Sequence, residues 1–573
     1  TGQFFRQFAL TIVFATLFSL FVSYTLTPML ASRFFPNGIK MPVGKVWRWM
    51  DWLEESAVAK YEKILRWSLS HAKQILAGAL FLFVLAMSLF PLGIIGAEYM
   101  PKTDESSFEI NVELPVGATV EQTDMVIARI ENCVDQIPEV KHYLSRIGGK
   151  TSNSGRIMVQ TVDRKERSRS IWEIADEVRV FCKTEVTDAT VRVTETQSSI
   201  AGVSGGGSKG GSGNSLQVEL YSNNLDTLVN TSYQVQDLLE NISGVKDVRS
   251  SYTEGMPEMQ LTLDREKLNY YNTSIGDVEK AFASAIAGKG AGVIANDAHN
   301  NDKDTDINVR FKGSDGFKRS DIERIPIYSN GRAIFLGDIA KIEEGVGPVT
   351  IRRVDKQRAI NISVNPGDRT LNELMTEVKQ VLDGANLDKS ISYKFKGAAD
   401  RMMDTFTEML QALFLSLILV YMLLAVLYES VLTPFIRMFS LPLGMIGSLL
   451  FLLMTNNSIN LYSLIGILVM DGLVAKNGTL LLDYTLTLMD RGMNAYDAII
   501  EAGKVRLKPI FMTTLTMVVG MMPTALAMTE GSETRVSMAW VIIGGLVSST
   551  IFTLLVIPII FLFFEKIQLG IRI

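Results

Sequence analysis

Long apolar stretches separate charged ones along this chain, and seven of them are long enough to cross a lipid bilayer. A helix needs about 20 mostly apolar residues to span the hydrocarbon core. The seven candidate spans are residues 8–31, 75–96, 406–427, 432–454, 461–484, 510–528 and 538–563. The pattern therefore predicts an α-helical membrane bundle built from both ends of the chain, with a polar domain between them.

Basic residues predict how these spans are oriented. Between the first two spans, residues 32–74 interleave aromatic side chains with lysines and arginines, which is typical of an amphipathic helix lying on a membrane face. The positive-inside rule makes this side cytoplasmic, and the basic loop at 485–509 agrees. We therefore expect the polar middle, from about Glu98 to Arg401, to lie outside the cytoplasm, and the carboxyl terminus to lie inside.

The polar middle is predicted to be folded, because strand-length and helix-length patterns alternate within it. Strands at 107–114, 140–147, 156–163 and 190–195 and helices at 120–136 and 171–184 form a doubled βαβ pattern, typical of the ferredoxin-like split unit. A second round has strands at 215–221, 245–251 and 259–263 and helices at 225–240 and 275–286. Segments 358–364, 371–382 and 391–395 complete it after an insert at 289–347.

Composition excludes several classes of protein. The chain has 573 residues, a net charge of −5 and no basic block, so nucleic-acid binding is not expected. Two cysteines and three scattered histidines give neither a disulfide scaffold nor a zinc site. Cys133 and Cys182 lie on the two helices of the first unit and could form a disulfide in an oxidising compartment. The start at Thr1 suggests a piece of a longer polypeptide.

One candidate span carries charge in its interior. Lys476 lies more than one turn from either end of 461–484, with Asn477 beside it and Asp471 and Asp483 flanking. A cation on so apolar a helix costs roughly 2.5–3.5 kcal/mol on insertion scales, so a counter-charge or a water path must compensate it. We interpret Lys476 as an ion or proton site; the alternative is a lysine that extends to a nearby interface.

Several short motifs resemble one transporter family across essentially the whole chain. They are RQFALTIV (6–13), LTP (26–28), YMPKTD (99–104), LPVGAT (114–119), LYES (427–430), PLG (442–444), GLVAKN (472–477) and RLKPIFMT (506–513). Together they resemble the carboxyl-terminal half of a resistance-nodulation-division (RND) transporter. They are most similar to the hydrophobe/amphiphile branch, which exports drugs.

The resemblance implies a proton-driven antiporter of the inner membrane, not an enzyme, with protons as the coupling ion and no cofactor. It implies a homotrimer with twelve spans per subunit, of which this chain holds the sixth to the twelfth. The expected partners are a periplasmic adaptor protein, an outer-membrane channel and a small-molecule substrate.

The same resemblance suggests roles for individual residues. Lys476 matches the lysine that faces two aspartates of the missing amino-terminal half, Arg506 matches a relay arginine, and Thr513 a relay threonine. Asn477, Asp471 and Asp483 complete the candidate relay. Asp483 is expected at the cytoplasmic mouth or as an interfacial charge, whereas Asp471 either partners the lysine or alters ion coupling.

The domains then follow in order along the chain. A transmembrane helix (1–31), the cytoplasmic amphipathic region (32–74) and a second transmembrane helix (75–96) precede the periplasmic part. Porter subdomains occupy 97–260 and 350–400, a docking subdomain occupies 261–349, and a five-helix transmembrane bundle occupies 401–573.

Two features depart from the drug-efflux pattern. Residues 147–154, where drug pumps of the family often carry phenylalanines, contain no aromatic side chain, which argues against bulky aromatic substrates. Five methionines at 512, 517, 521, 522 and 528 offer thioether ligands for a soft metal ion, although methionine is also an ordinary filler of membrane helices. Heavy-metal efflux and a non-transporting membrane scaffold therefore remain the alternatives.

Overall fold

The structure is a computed structural model that describes residues 2–34, 45–115, 117–148, 152–196, 215–252, 255–294, 305–329, 331–347, 350–367, 369–385, 387–528 and 531–571. It begins with helices α1 (Gly2–Tyr24), α2 (Leu26–Phe34), α3 (Lys45–Ser70) and α4 (Ala72–Ser88). Helix α3 lies in the region where aromatic and basic residues predicted an amphipathic helix; residues 35–44 of that region are outside the described residues. The chain bends by 94° between α3 and α4.

The first α/β unit follows the predicted order of elements. It contains β1 (Ser107–Glu113), α5 (Val120–Asp135), β2 (Val140–Ile147), β3 (Ser154–Thr161), α6 (Ile171–Glu185) and β4 (Thr190–Glu195). Its sheet has the order β2-β3-β1-β4 with antiparallel neighbours. Capping boxes at Thr119 and Ser170 start the two helices. Alternate residues of β1, such as Phe108 and Ile110, are buried in this unit's core with apolar residues of both helices.

The second unit is interrupted by an insert. It begins with β5 (Leu216–Ser222), α7 (Leu225–Glu240) and β6 (Asp247–Ser250). The insert contains β7 (Met256–Leu263), α8 (Arg265–Tyr270), α9 (Ile275–Ile286), β8 (Lys289–Ile294), β9 (Thr305–Val309), α10 (Arg319–Glu323), β10 (Pro326–Ser329), β11 (Arg332–Phe335), α11 (Leu336–Ile339) and β12 (Ala340–Gly347). The unit then resumes with β13 (Arg353–Val354), β14 (Gln357–Asn365), α12 (Leu371–Gly384) and β15 (Ser392–Gly397).

Strand pairing corrects one predicted boundary. The strand predicted at 259–263 was assigned to the second unit, but the observed β7 pairs along its whole length with β12. The sheet of the second unit instead forms from β5, β6, β13, β14 and β15, with β14 paired to both β5 and β6. The insert therefore begins at about Met256 rather than at the predicted 289, because β7 finds its hydrogen-bond partner in β12 and not in the second unit.

The two cysteines are free thiols in the structure, so the disulfide considered from the sequence is not formed. Cys133 lies on α5 and Cys182 on α6, where Cys182 is buried in the core of the first unit. Burial raises the pKa of Cys182 to about 12, and the neighbouring Cys133 adds to that shift. Burial raises the pKa of Cys133 as well, so both thiols give up their protons less readily than an exposed cysteine does.

The carboxyl-terminal part is a bundle of α13 (Ala398–Leu427), α14 (Leu432–Met438), α15 (Ser440–Met454), α16 (Leu461–Asp490), α17 (Ala495–Ala525) and α18 (Val536–Ile571). Helices α15 and α18 approach backbone to backbone: a Cβ added to Gly447 would lie 2.1 Å from the Gly544 carbonyl oxygen. Small residues at such a crossing allow close packing of membrane helices.

Six helices within the described residues are long and apolar enough to cross a membrane. They correspond to six of the seven predicted spans. The predicted span at 75–96 corresponds to α4, which has only 17 residues and becomes a seventh candidate only if it is joined to α3 across the bend.

Buried charges connect the first unit to the bundle. Arg167 and Asp104 form an ion pair whose side chains are both fully buried, and the Asp104 carboxylate also accepts a hydrogen bond from the Ile171 N–H at 3.0 Å. Glu533, just before α18, bonds to Arg164 and accepts the Asp104 N–H at 3.1 Å. A cavity of about 560 Å³ lies at this junction.

Candidate functional site

Helix α16 carries most of the predicted site, and its amino-terminal end is firmly fixed. Asn460 caps the helix by accepting hydrogen bonds from the N–H groups of Tyr462 and Ser463, each at 3.0 Å. The same side-chain oxygen accepts a hydrogen bond from the Ser537 hydroxyl of α18 at 3.0 Å. The cap thus satisfies the first orphan N–H groups of α16 and also ties α16 to α18.

Lys476 lies on a face of α16 that no other part of the described chain covers. Its side chain is exposed and has no hydrogen bond or ion pair with the described residues. Gly472, one turn earlier on the same face, has no atom within 4 Å of the position that a Cβ would occupy. A charged residue and an exposed glycine therefore lie one turn apart on the same face of α16.

Asn477 points the other way, into a buried polar network. Its side-chain amide donates to the Thr550 hydroxyl of α18 at 3.4 Å, and that hydroxyl lies 2.8 Å from the hydroxyl of Thr514 on α17. Thr550 itself donates to the Leu546 carbonyl at 2.8 Å. All three side chains are buried. The network links α16, α17 and α18 directly behind Lys476.

The threonine predicted for the relay is not the one in this network. Thr513 is half-buried and its hydroxyl donates to the Ile510 carbonyl of its own helix at 2.9 Å. Its neighbour Thr514 takes the inward position because successive helical residues point about 100° apart. The structure thus adds Thr514 and Thr550, which the sequence motifs did not identify. A buried face read from the helical period of α17 could have favoured Thr514.

Asp471 occupies a separate position between α16 and α13. It is buried, and its carboxylate accepts one long hydrogen bond, at 3.4 Å, from the Ser416 hydroxyl. Five residues separate it from Lys476, which places the two side chains about 140° apart around the helix. Asp471 therefore does not pair with Lys476, contrary to one of the two roles expected for it.

Asp483 forms an ion pair that the sequence did not reveal. Its carboxylate accepts a hydrogen bond at 2.7 Å from Arg437 of α14, which is only 1 % exposed. The same guanidinium lies 3.4 Å from the Thr479 hydroxyl and 3.7 Å above the centroid of the Tyr428 ring. The sequence feature that could have indicated this ion pair is Arg437, a cation near the start of the predicted span 432–454. Asp483 therefore compensates a buried arginine of the same bundle.

Arg506 lies over an aromatic ring rather than beside a carboxylate. Its guanidinium is 4.9 Å from the centroid of the Tyr484 ring, a cation–π contact between α17 and α16. Its Nε is buried without a hydrogen-bond partner among the described residues. The six predicted relay residues thus occupy different surroundings, and only Asn477 reaches a neighbouring helix through a hydroxyl network.

Comparisons with known proteins now identify the family. A family model described as the AcrB/AcrD/AcrF family matches residues 1–565. The chain belongs to this family. Its members are RND transporters, so the long apolar helices are those of a multi-pass inner-membrane protein.

One curated relative of this RND chain is the swarming motility protein SwrC of Bacillus subtilis (strain 168), which is 26% identical over 573 residues. That match covers 98% of this chain and 52% of SwrC. A solved structure of a heavy metal efflux pump matches with a TM-score of 0.73 and 21% identity, over 90% of this chain and 53% of that chain. The chain therefore spans about half the length of these two proteins, and the second similarity supports the RND fold alone.

Proposed function

We propose that this chain is the carboxyl-terminal half of a proton-driven RND antiporter that exports small amphiphilic or hydrophobic compounds across the cell envelope. The observation that carries the proposal is the uncovered face of α16 with Lys476 next to Gly472. Such a lysine on a membrane helix needs a counter-charge or a water path, and a carboxylate that exchanges protons is the counter-charge that a proton antiporter requires.

The surroundings of Lys476 support a coupling role. A lysine paired with carboxylates in a low dielectric holds its neighbour helix close, and protonation of a carboxylate weakens that pair. Asn477, the next residue, bonds to Thr550, so a shift of α16 at Lys476 is transmitted to α18. Glu533, just before α18, bonds to the first α/β unit. Each protonation state can therefore favour a different arrangement of the outer domain.

We propose a homotrimer that works with a periplasmic adaptor protein and an outer-membrane channel. The insert from Met256 to Gly347 has its own hydrophobic core, which includes Ile327, Leu336 and Ile339. Its independence from the second sheet suits a docking subdomain on the two porter units. The insert would then bind the channel while the two sheets bind the substrate.

Heavy-metal export has less support from the described residues. They contain no group of three His, Cys, Asp or Glu residues placed to hold a metal ion. Met512 lies on α17, whereas Met528 lies three residues past the end of that helix at Ala525, so these two do not share one helix face. Met512 and Met528 are exposed, whereas Met521 packs against apolar side chains. We therefore propose amphiphilic or hydrophobic compounds as the substrates; residues 149–151 of the loop without aromatic side chains lie outside the described residues.

The test is export of a fluorescent lipophilic cation from cells that produce the complete transporter. We expect Lys476→Ala to lower export at least tenfold, whereas Lys508→Ala, a second lysine of the bundle, retains it. Collapse of the proton gradient should stop export by the parent protein. Undiminished export by Lys476→Ala would overturn the proposed coupling role. Export by this chain produced without its complementary half would contradict the proposal that carboxylates of that half are needed.

A further inference from the structure

Helix α18 contains a proline that leaves one backbone carbonyl without its helical partner. Pro558 lies within the helix and has no N–H, so the carbonyl of Leu554, four residues earlier, cannot form the usual intrahelical hydrogen bond. Leu554 is buried in the bundle. An unsatisfied carbonyl in such a place is costly, and neighbouring side chains commonly supply the missing donor.

Here the donor comes from the amphipathic helix α3. The hydroxyl of Tyr61 donates to the Leu554 carbonyl oxygen at 3.0 Å, across nearly 500 residues of sequence. Tyr61 is 8 % exposed, and Leu65, one turn later on the same face, is fully buried. Tyr61 therefore contributes a hydrogen bond as well as packing, since its hydroxyl replaces the N–H that Pro558 lacks.

A glycine of helix α17, Gly503, leaves room for the Tyr61 ring. A Cβ added to Gly503 would lie 2.9 Å from both the hydroxyl oxygen and Cε1 of the Tyr61 ring. Beside it, the Lys504 ammonium bonds to the Glu62 carboxylate at 2.9 Å. Gly503 therefore leaves the space that the Tyr61 ring needs to reach the Leu554 carbonyl, and the Lys504–Glu62 ion pair holds α3 against α17.

We propose that Tyr61 is a positioning residue that fastens α3 to α18 at the Leu554 carbonyl, which Pro558 leaves without its helical donor. Thr550, one turn before Leu554, holds Asn477 beside Lys476. The Tyr61 contact therefore joins α3, a helix outside the predicted spans, to α18 one turn from the network behind Lys476. This inference goes beyond the proposed function and rests on contacts within this chain.

The test is amide hydrogen exchange of the whole chain in detergent micelles, read on α3 and on α18 around Leu554. Tyr61→Phe leaves the Leu554 carbonyl unpaired, so we expect roughly tenfold faster exchange of the amides of α3 around Tyr61. In a Pro558→Ala background the restored N–H pairs with Leu554, and Tyr61→Phe should then change exchange less than about threefold. Gly503→Ala should reproduce the effect of Tyr61→Phe by pushing the ring away.

Tyr421→Phe is the matched control. Its hydroxyl also donates to a backbone carbonyl, that of Val431 at 3.1 Å, but residue 435 is a phenylalanine and no proline removes the helical donor there. Its effect should be the same with and without Pro558→Ala. An equal effect of Tyr61→Phe in both backgrounds, or none in either, would overturn the proposal. If Tyr61→Phe does not fold, recovery of folding by added Pro558→Ala supports it, and failure of that recovery opposes it.

Discussion

The two faces of α16 differ in how completely this chain satisfies them. One face carries Val474, Asn477 and Leu481, all buried, and the Asn477 amide donates a hydrogen bond to the Thr550 hydroxyl of α18. The other face carries Gly472 and Lys476, both exposed, and there the described chain offers Lys476 neither a hydrogen bond nor an ion pair. The first face is packed within the described chain, whereas the second is the face for which we propose a partner helix from the rest of the transporter.

This difference separates stability from function on one helix. Residues of the packed face should contribute to the free energy of unfolding of the chain itself, because their partners are present. Lys476 should contribute little to it, because its proposed partners belong to another part of the transporter. Substitutions on the two faces should therefore rank differently in an unfolding experiment and in a transport experiment.

The largest effect on stability is expected from the ion pair between the buried Arg437 and Asp483, whose side chain is 39 % exposed. Asp483→Asn removes the charge that compensates an arginine only 1 % exposed, and such a loss costs about 3 kcal/mol of unfolding free energy. The Tyr428 ring remains and offsets a part of the loss. The measurement is unfolding of the detergent-solubilised chain with sodium dodecyl sulfate.

The double variant Arg437→Met with Asp483→Leu is the control for this pair. Removing both charges leaves neither one uncompensated, so stability should return to within about 1 kcal/mol of the parent. If Asp483→Asn alone lowers the free energy of unfolding by less than about 1 kcal/mol, Arg437 is accessible to water and the two residues form a surface ion pair.

A smaller effect is expected in the hydroxyl network behind Lys476. Thr550→Val keeps the shape of the side chain but leaves the buried Asn477 amide and the Thr514 hydroxyl without their shared partner, at a cost of about 2 kcal/mol. Thr553→Val is the matched control, since the buried hydroxyl of Thr553 has no hydrogen-bond partner among the described residues. That change should be neutral or stabilising. Equal losses in both variants would show that the network is not selectively stabilising.

The sequence predicted the apolar helices well because length and composition alone are enough to recognise a spanning segment. Six of the predicted spans coincide with long apolar helices, and the α/β elements of the first unit lie within a few residues of their predicted positions. The partners of polar side chains were less predictable. Arg437 and Asp483 are 46 residues apart, and the choice between Thr513 and Thr514 depends on the rotation of α17, which packing decides.

The smallest effect on stability should come from the residue with the largest proposed effect on transport. Lys476→Met replaces an exposed cation by an apolar chain of similar length, so unfolding of this chain in detergent should change by less than about 0.5 kcal/mol. Val474→Met introduces the same side chain on the packed face, where overpacking against Ile542 and Leu546 should cost about 1–3 kcal/mol. If Lys476→Met lowers the free energy of unfolding more than Val474→Met does, Lys476 has a structural partner within this chain. Its face of α16 is then not a contact surface for another helix.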